Sequence, residues 1–200
     1  GYERNIAVIR EDVEFVKADV RDAASVVKAS RGMDGIFHEA ALVSVFDSVN
    51  RPLDNHEINI TGLLNVLNSA RENKVKRVVL ASSAAIYGNN PALPKHEAMR
   101  PEPASPYAVA KITGEYYLSI FHQLYGVETV SLRYFNVYGP RQDPSSMYSG
   151  VISKFSEVLM KGETPVIFGD GRQSRDFVFV ADVVQANLLA MQSPAVGRGE

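Results

Sequence analysis

Short apolar strands alternating with helical stretches mark this 200-residue chain as an α/β protein built on a parallel, doubly wound sheet. The clearest strand is Val78-Val79-Leu80-Ala81, apolar and β-branched without polar alternation, as suits a strand buried on both faces. The clearest helix lies between roughly 53 and 73, where Ile58, Leu63, Leu64, Val66 and Leu67 recur near helical spacing.

In chain order, residues 14–18 are expected as a strand, followed by Asp19-Val20-Arg21-Asp22 and a helix to about Ser30. Gly35-Ile36-Phe37-His38 is a second strand, ending at Glu39-Ala40-Ala41. The helix near 53–73 leads to the strand over 78–82, which ends in Ser82-Ser83. A helix is predicted over 105–125, and Pro106 suits its first turn through its fixed φ and missing N–H. A strand over 128–133 follows. After Pro140, Arg141-Gln142-Asp143-Pro144-Ser145-Ser146 turns polar and reads as a loop. A helix over 150–161, strands over 165–168 and 176–180, and a helix over 181–192 complete the pattern, without internal repeat or low-complexity tract.

Composition bounds the function. With 46% hydrophobic and 22% charged residues the chain is an ordinary globular piece. A net charge of −2 gives no global attraction to nucleic acid or anionic membrane, so neither is expected as a partner, and any phosphate recognition must be local. The chain has no Cys, which excludes disulfides and thiolate metal sites and fits a reducing cytoplasm. No apolar stretch reaches the roughly 18 residues that span a bilayer, and no signal-peptide pattern occurs. His56, His96 and His122 show no metal-ligand spacing, so no metal is expected.

The chemistry concentrates in Ser105-Pro106-Tyr107-Ala108-Val109-Ala110-Lys111. Positions four apart share a helix face, so the Lys111 ammonium is expected beneath the Tyr107 phenol, where a cation favours phenolate. A phenol titrates near 10. Making it a base near pH 7 requires lowering that by roughly 3 pH units, about 4 kcal/mol. Ser83 lies where doubly wound sheets collect functional side chains, at the carboxyl end of a strand. A serine there also suits capping of the next turn, and a Tyr-x-x-x-Lys pair also suits an ordinary helix start. The combination is more specific than either part.

Four motifs occur in order: Ala81-Ser82-Ser83-Ala84-Ala85-Ile86-Tyr87-Gly88; Ser105-Pro106-Tyr107 to Lys111; Leu132-Arg133-Tyr134-Phe135-Asn136-Val137-Tyr138-Gly139-Pro140-Arg141; and Gly169-Asp170-Gly171 through Arg175-Asp176-Phe177. In these the chain resembles the extended short-chain dehydrogenase/reductases, in their NAD-dependent nucleotide-sugar epimerase/dehydratase branch, and most of all the UDP-hexose 4-epimerases, including those acting on N-acetylhexosamines. The resemblance implies a Rossmann-type fold. It also implies a partial NAD-binding domain over 1–140 and a partial substrate-binding region over 141–200, interleaved with the first. No Gly-x-Gly-x-x-Gly or Gly-x-x-Gly-x-x-Gly is present, although a dinucleotide fold needs such a turn for the pyrophosphate. The resemblance puts that turn, with the first βαβ unit, ahead of Gly1, and more of the substrate region after Glu200. An internal segment of a larger enzyme is therefore expected, folding poorly and inactive by itself.

Residue by residue, the resemblance implies that Asp19 and Val20 meet the adenine of NAD. Ala40 and Ala41 admit the adenosine ribose and pyrophosphate, Asn59 supports the loops beneath, and Ser82 and Tyr134 lie on the cofactor side. Lys111 would bind the nicotinamide ribose as well as tune Tyr107. For a UDP-sugar substrate, Asn136 and Arg175 would hold the diphosphate, a guanidinium fork suiting two phosphate oxygens. Arg175-Asp176 also fits a structural ion pair. Ser44 is implied near the hexose and Phe168, on its strand, beside the uracil; Arg141 matches a recurrent family arginine. Ser83, Tyr107 and Lys111 would be the catalytic set, with Tyr107 taking the 4-hydroxyl proton as C4 loses hydride, and returning it after the 4-keto sugar turns over. Dehydratases add an Asp-Glu pair after the strand-end Ser or Thr, because elimination needs its own acid and base. Ala84 and Ala85 stand there instead, which disfavours dehydratases and decarboxylases. Reductases and a non-catalytic dinucleotide-binding module remain as alternatives. Helices near 54–73 and 105–125, with Ile120 and Leu124, resemble the pair through which family members form homodimers.

Overall fold

The computed structural model describes residues 2–143 and 150–199. Its elements in chain order are α1 (Ala23–Ala29), β1 (Gly35–His38), α2 (Val45–Asn50), α3 (Pro52–His56), α4 (Gly62–Asn73), β2 (Arg77–Ser83), α5 (Pro106–Tyr125), β3 (Glu128–Tyr134), β4 (Asn136–Tyr138), α6 (Val151–Met160), β5 (Phe177–Phe179) and α7 (Val180–Gln192). Short 3-10 turns lie at Glu3–Ile9 and Ala84–Tyr87, and a π-helical turn at Glu57–Thr61 joins α3 to α4. The chain divides into two compact units, Lys17–Tyr134 with Ala186–Glu200, and Gly1–Val16 with Phe135–Gln185.

The first of these units is built on a parallel sheet in the order β1-β2-β3. Its central strand is buried along its length because alternate side chains feed two cores. Val78 and Leu80 join Leu63, Leu67, Leu118 and Phe121 from α4 and α5. Val79 points the other way, to its register partner's neighbourhood at Val130 and to Ala190 of α7. Helices thus cover both faces, which is the doubly wound arrangement expected. Leu67 is fully buried, so truncating it to Ala would cost about 2–5 kcal/mol.

Local chemistry sets the helix ends. The Asp22 carboxylate accepts the Ala24 and Ser25 N–H groups at the start of α1. Ser105 caps α5 by accepting the Ala108 N–H, Pro106 occupies the first turn, and Gly126 ends the helix in the left-handed region at φ 72°. Within α5, Gly114 permits close approach to the sheet: an added Cβ would meet Leu63 and Leu80 methyls at 3.0 and 3.1 Å. The long helix predicted over 53–73 is interrupted by the π turn, in which the Gly62 N–H reaches back to the Glu57 carbonyl.

The other unit contains the parallel pair β4 and β5, with Tyr138 edge-on to Phe177. Here the strand expected over 176–180 is shorter and pairs with β4, which composition did not single out. Two expected strands are absent: residues 14–18 and 165–168 carry no ladder. Apolar, β-branched composition supplies only a propensity, and among the described residues neither segment has a neighbouring strand to pair with. Part of the predicted polar loop, residues 144–149, lies outside the described residues.

Arg77 opens β2 and is 4% exposed. Its Nε donates to Glu128 at 2.8 Å, while Nη1 donates to the carbonyls of Ala190 at 2.7 Å, Met191 at 3.0 Å and Ser193 at 2.8 Å. Nη2 reaches the Val196 carbonyl at 3.1 Å. One guanidinium therefore satisfies the carbonyl end of α7 and fastens the strands beneath it. Arg77→Met is expected to lower the unfolding free energy by about 3–5 kcal/mol in urea titrations, since it orphans several buried carbonyls together. A loss below about 1 kcal/mol would show that water replaces the guanidinium without penalty.

Candidate active site

Parallel pairing sets Ser83 beside Tyr134 and Ser82 beside Arg133 at the carboxyl ends of β2 and β3. The helix that follows the Ala84–Tyr87 turn and a long loop returns over this edge, carrying Tyr107 in its first turn and Lys111 one turn later. Tyr107 is 9% and Lys111 6% exposed. The Ser83 hydroxyl stands close enough to the Tyr107 phenol to oppose the upward pull of burial on it. Ser83 Oγ accepts the Ala85 N–H at 3.1 Å, which leaves its own proton free to turn toward the phenol oxygen. Lys111 Nζ lies 5.6 Å from the Tyr107 ring centroid and donates to the Ala81 carbonyl at 2.6 Å.

The electrostatics differ from the simple expectation of a lysine-acidified phenol. Burial raises the Tyr107 phenol above its ordinary 10, and the Ser83 hydroxyl opposes it. Burial likewise pulls the Lys111 ammonium down to about 8, partly offset by the Glu39 carboxylate. His38, at the end of β1, is lowered to about 4 by burial and by the nearby Lys111 charge. It is thus a neutral packing residue near pH 7. Lys111 is spent on a strand carbonyl, and its charge does not outweigh the desolvation of the phenol.

Around these groups the other predicted residues take definite places. Ala40 and Ala41 line a small cavity of about 10 Å³ together with His38, Asn59, Lys111 and Gly114. Asn59, in the π turn, accepts the Leu42 N–H at 2.8 Å and donates to the Leu42 carbonyl at 3.0 Å and to Asn55 at 2.9 Å. The loop after β1 is held as a strand partner would hold it. Tyr134 donates to Glu39 at 3.0 Å and accepts from Asn187 at 2.5 Å; burial chiefly raises its phenol. Ser82 turns away from this cluster and donates to Glu115 at 2.5 Å.

Some predicted residues are engaged elsewhere. The Asp19 carboxylate is clasped by the Arg21 N–H and guanidinium, which hold it at about 2, and Val20 packs over Gly62. Ser44, expected near the hexose, is buried and caps α2 by accepting the Asp47 N–H at 2.9 Å, since a helix start needs that acceptor. Asn136, Phe168 and Arg175 belong to the second unit. There Asn136 donates to the Asp176 carbonyl at 2.8 Å, Arg175 donates to the Ser174 carbonyl at 2.7 Å, and Phe168 is 84% exposed on a segment that forms no strand.

The chain matches the model of the NAD dependent epimerase/dehydratase family over residues 2–200. It belongs to that family. A putative UDP-glucose 4-epimerase of Methanocaldococcus jannaschii is 43% identical over 185 residues, 92% of this chain and 60% of that protein. Among solved structures, the UDP-N-acetylglucosamine 4-epimerase of Methanobrevibacter ruminantium, in complex with UDP-N-acetylmuramic acid, superposes with a TM-score of 0.89 at 44% identity. The match covers 94% of this chain and 60% of that one. The Thermus thermophilus UDP-glucose 4-epimerase, solved with NAD, gives 0.83 at 42% identity, covering 92% and 63%. The chain therefore spans about 60% of the length of these relatives. Its Rossmann-type fold is the one these family members share.

Sequence reasoning left out Glu39, Glu115, Arg133 and Asn187. For Glu115 a signal existed: residues 107, 111 and 115 are four apart and share one face of α5. No such periodicity marks Glu39 or Asn187, which meet Tyr134 from distant parts of the chain.

Burial of the Lys111 charge fixes a pH dependence. With a folded value near 8 against the ordinary 10.5, the unfolded chain holds more protons between those pH values, so stability rises across that window. Lys111→Met is expected to raise unfolding free energy at pH 7 by on the order of 2 kcal/mol. That gain should shrink to a few tenths of a kcal/mol by about pH 10.5, where the wild-type lysine is neutral when folded and half neutral when unfolded. Urea titrations at both pH values check it; a destabilised variant at pH 7 would mean that the Ala81 hydrogen bond outweighs the burial penalty.

Proposed function

We propose that this chain serves the NAD-dependent epimerisation of a UDP-hexose at C4, through a 4-keto intermediate, in the whole protein. The observation that carries the reading is the Ser83, Tyr107 and Lys111 cluster at the end of β2, with Ala84 and Ala85 at the two positions that follow Ser83. Identity above 40% to 4-epimerases supports it. Tyr107 takes the proton of the 4-hydroxyl and later returns it, and Ser83, close to the phenol at the end of β2, serves to relay it. Elimination of a 6-hydroxyl would need a further acid and base, and two methyl side chains cannot transfer protons.

The residues present fit the cofactor. Ala40 and Ala41 keep the backbone after β1 open, Asn59 fixes the loop beyond it, and Lys111 and Tyr107 offer polar atoms for a ribose and nicotinamide next to Tyr134. Bound NAD supplies the hydride acceptor and donor. A cation in that position would also favour the phenolate against the burial that raises it. Asp19 and Val20 are the proposed adenine contacts. Ser82 contributes on the cofactor side through the strand it anchors. On the substrate side, Asn136 and Arg175 are proposed for the diphosphate and Phe168, exposed as a stacking face, for the uracil. The reading includes a homodimer and a cytoplasmic location. Tyr116, Ile120 and Leu124, exposed at four-residue spacing on α5, supply an apolar stripe for the dimer.

The whole protein with NAD is expected to convert UDP-galactose or UDP-N-acetylgalactosamine to the C4 epimer, read by chromatographic separation. Tyr107→Phe should reduce turnover by about 10²–10⁴-fold while nucleotide-sugar affinity, measured by calorimetry, stays nearly unchanged. Turnover that survives the substitution would remove Tyr107 from its role; absence of any turnover with bound NAD would favour a binding module.

A further inference from the structure

A second cluster of polar side chains adjoins the proposed site. Glu115 continues the Tyr107 and Lys111 face of α5, and its side chain is only 10% exposed. Its carboxylate accepts Arg133 Nη2 at 2.8 Å and Nε at 3.1 and 3.3 Å, a two-pronged pairing, and takes the Ser82 hydroxyl as well. Arg133 Nη1 then reaches the Tyr87 hydroxyl and the Glu97 carbonyl, each at 3.0 Å. The guanidinium also packs 5.3 Å from the Tyr87 ring centroid.

The members come from five parts of the chain: α5, the ends of β2 and β3, the turn after β2 and the loop before α5. Three of them sit next to the site along the chain. Ser82 precedes Ser83, Arg133 precedes Tyr134, and Tyr87 ends the turn that Ser83 begins. Buried charge pairs are poor sources of net stability, because desolvation consumes most of the attraction. A hydrophobic packing of the same volume would hold α5 equally well. What the pair adds is direction, since a bidentate contact fixes angle as well as distance.

We infer that Glu115 and Arg133 are positioning residues, which set the angle of α5 on the end of β2 and thereby keep the Tyr107 phenol on the Ser83 hydroxyl. This rests on the 4-epimerase reading only for its rate consequence. A misplacement of the base of about 1 Å is worth on the order of 10²-fold in rate.

The test uses the whole protein loaded with NAD, as wild type, Glu115→Gln, Arg133→Lys and the milder Ser82→Ala. Each is labelled with 3-fluorotyrosine, and the residue-107 resonance is assigned through Tyr107→Phe. In the first two variants that resonance is expected to titrate about 0.5–1 pH unit higher than in wild type, the equivalent of one lost hydrogen bond to the phenolate. A smaller shift in the same direction is expected for Ser82→Ala, which keeps the ion pair and serves as the folded reporter if the others do not fold. With UDP-galactose, kcat should fall about 10–100-fold while KM changes less than about twofold. An unmoved titration overturns the inference whatever the rates do, as does a change confined to melting temperature. Wild-type protein that turns over no nucleotide sugar would instead overturn the 4-epimerase reading, and the titration would still decide the role of the pair.

Discussion

The hydrogen bond from the Lys111 ammonium to the Ala81 carbonyl is the constraint on which the site depends. It binds the second turn of α5 to the last residues of β2 from inside the protein, where water cannot compete. Everything nearby is arranged around that buried donor. Gly114 clears space for the helix to lie close, Asn59 ties down the loop after β1, and Glu39 offers the ammonium a partial counter-charge. A lysine carried for packing alone would not be buried to 6% exposure at the cost that its lowered value of about 8 implies.

That cost is offset by the rest of the fold. The core on both faces of β2, with Leu63, Leu67, Leu118 and Phe121 on one side and Val79 and Val130 on the other, contributes several kcal/mol per large side chain. At the opposite end of the same strand, Arg77 secures the α7 carbonyls. The strand is thus pinned at its amino end by a guanidinium that supports the fold and carries, at its carboxyl end, groups held in a costly arrangement. Strain of this kind, collected at one edge of an otherwise well-packed sheet, is the usual division between scaffold and site.

Much of this was legible in the sequence. The spacing of Tyr107 and Lys111 is the pitch of a helix, and Ser82-Ser83 closes an apolar run too uniform to be anything but an inner strand, so the cluster could be read before any coordinates. Strand pairing was less accessible. Residues 14–18 and 165–168 have strand composition but no neighbouring strand among the described residues, whereas β4 is short and forms because β5 lies alongside. Most of the Arg77 contacts left no trace in sequence either, since apart from Glu128 they end on backbone carbonyls that every residue possesses. The direction of the Tyr107 shift was also beyond reach. It depends on how deeply the ring is buried against how near the ammonium stands, and both are set by tertiary packing.

The π turn at Glu57–Thr61 has a consequence for how the chain tolerates change in length. It carries one more residue than an ordinary helical turn, and it aims Asn59 at the backbone of Leu42 while leaving α4 seated on the sheet. Deleting a single residue there would turn the i→i−5 bond between Gly62 and Glu57 into a regular i→i−4 bond and leave Leu63, Val66, Leu67 and Ala70 in phase on the sheet. What would be lost is the aim of Asn59 at Leu42. A one-residue gap in this segment is therefore absorbed by the helix, and its effect falls on the clamp that holds the loop after β1.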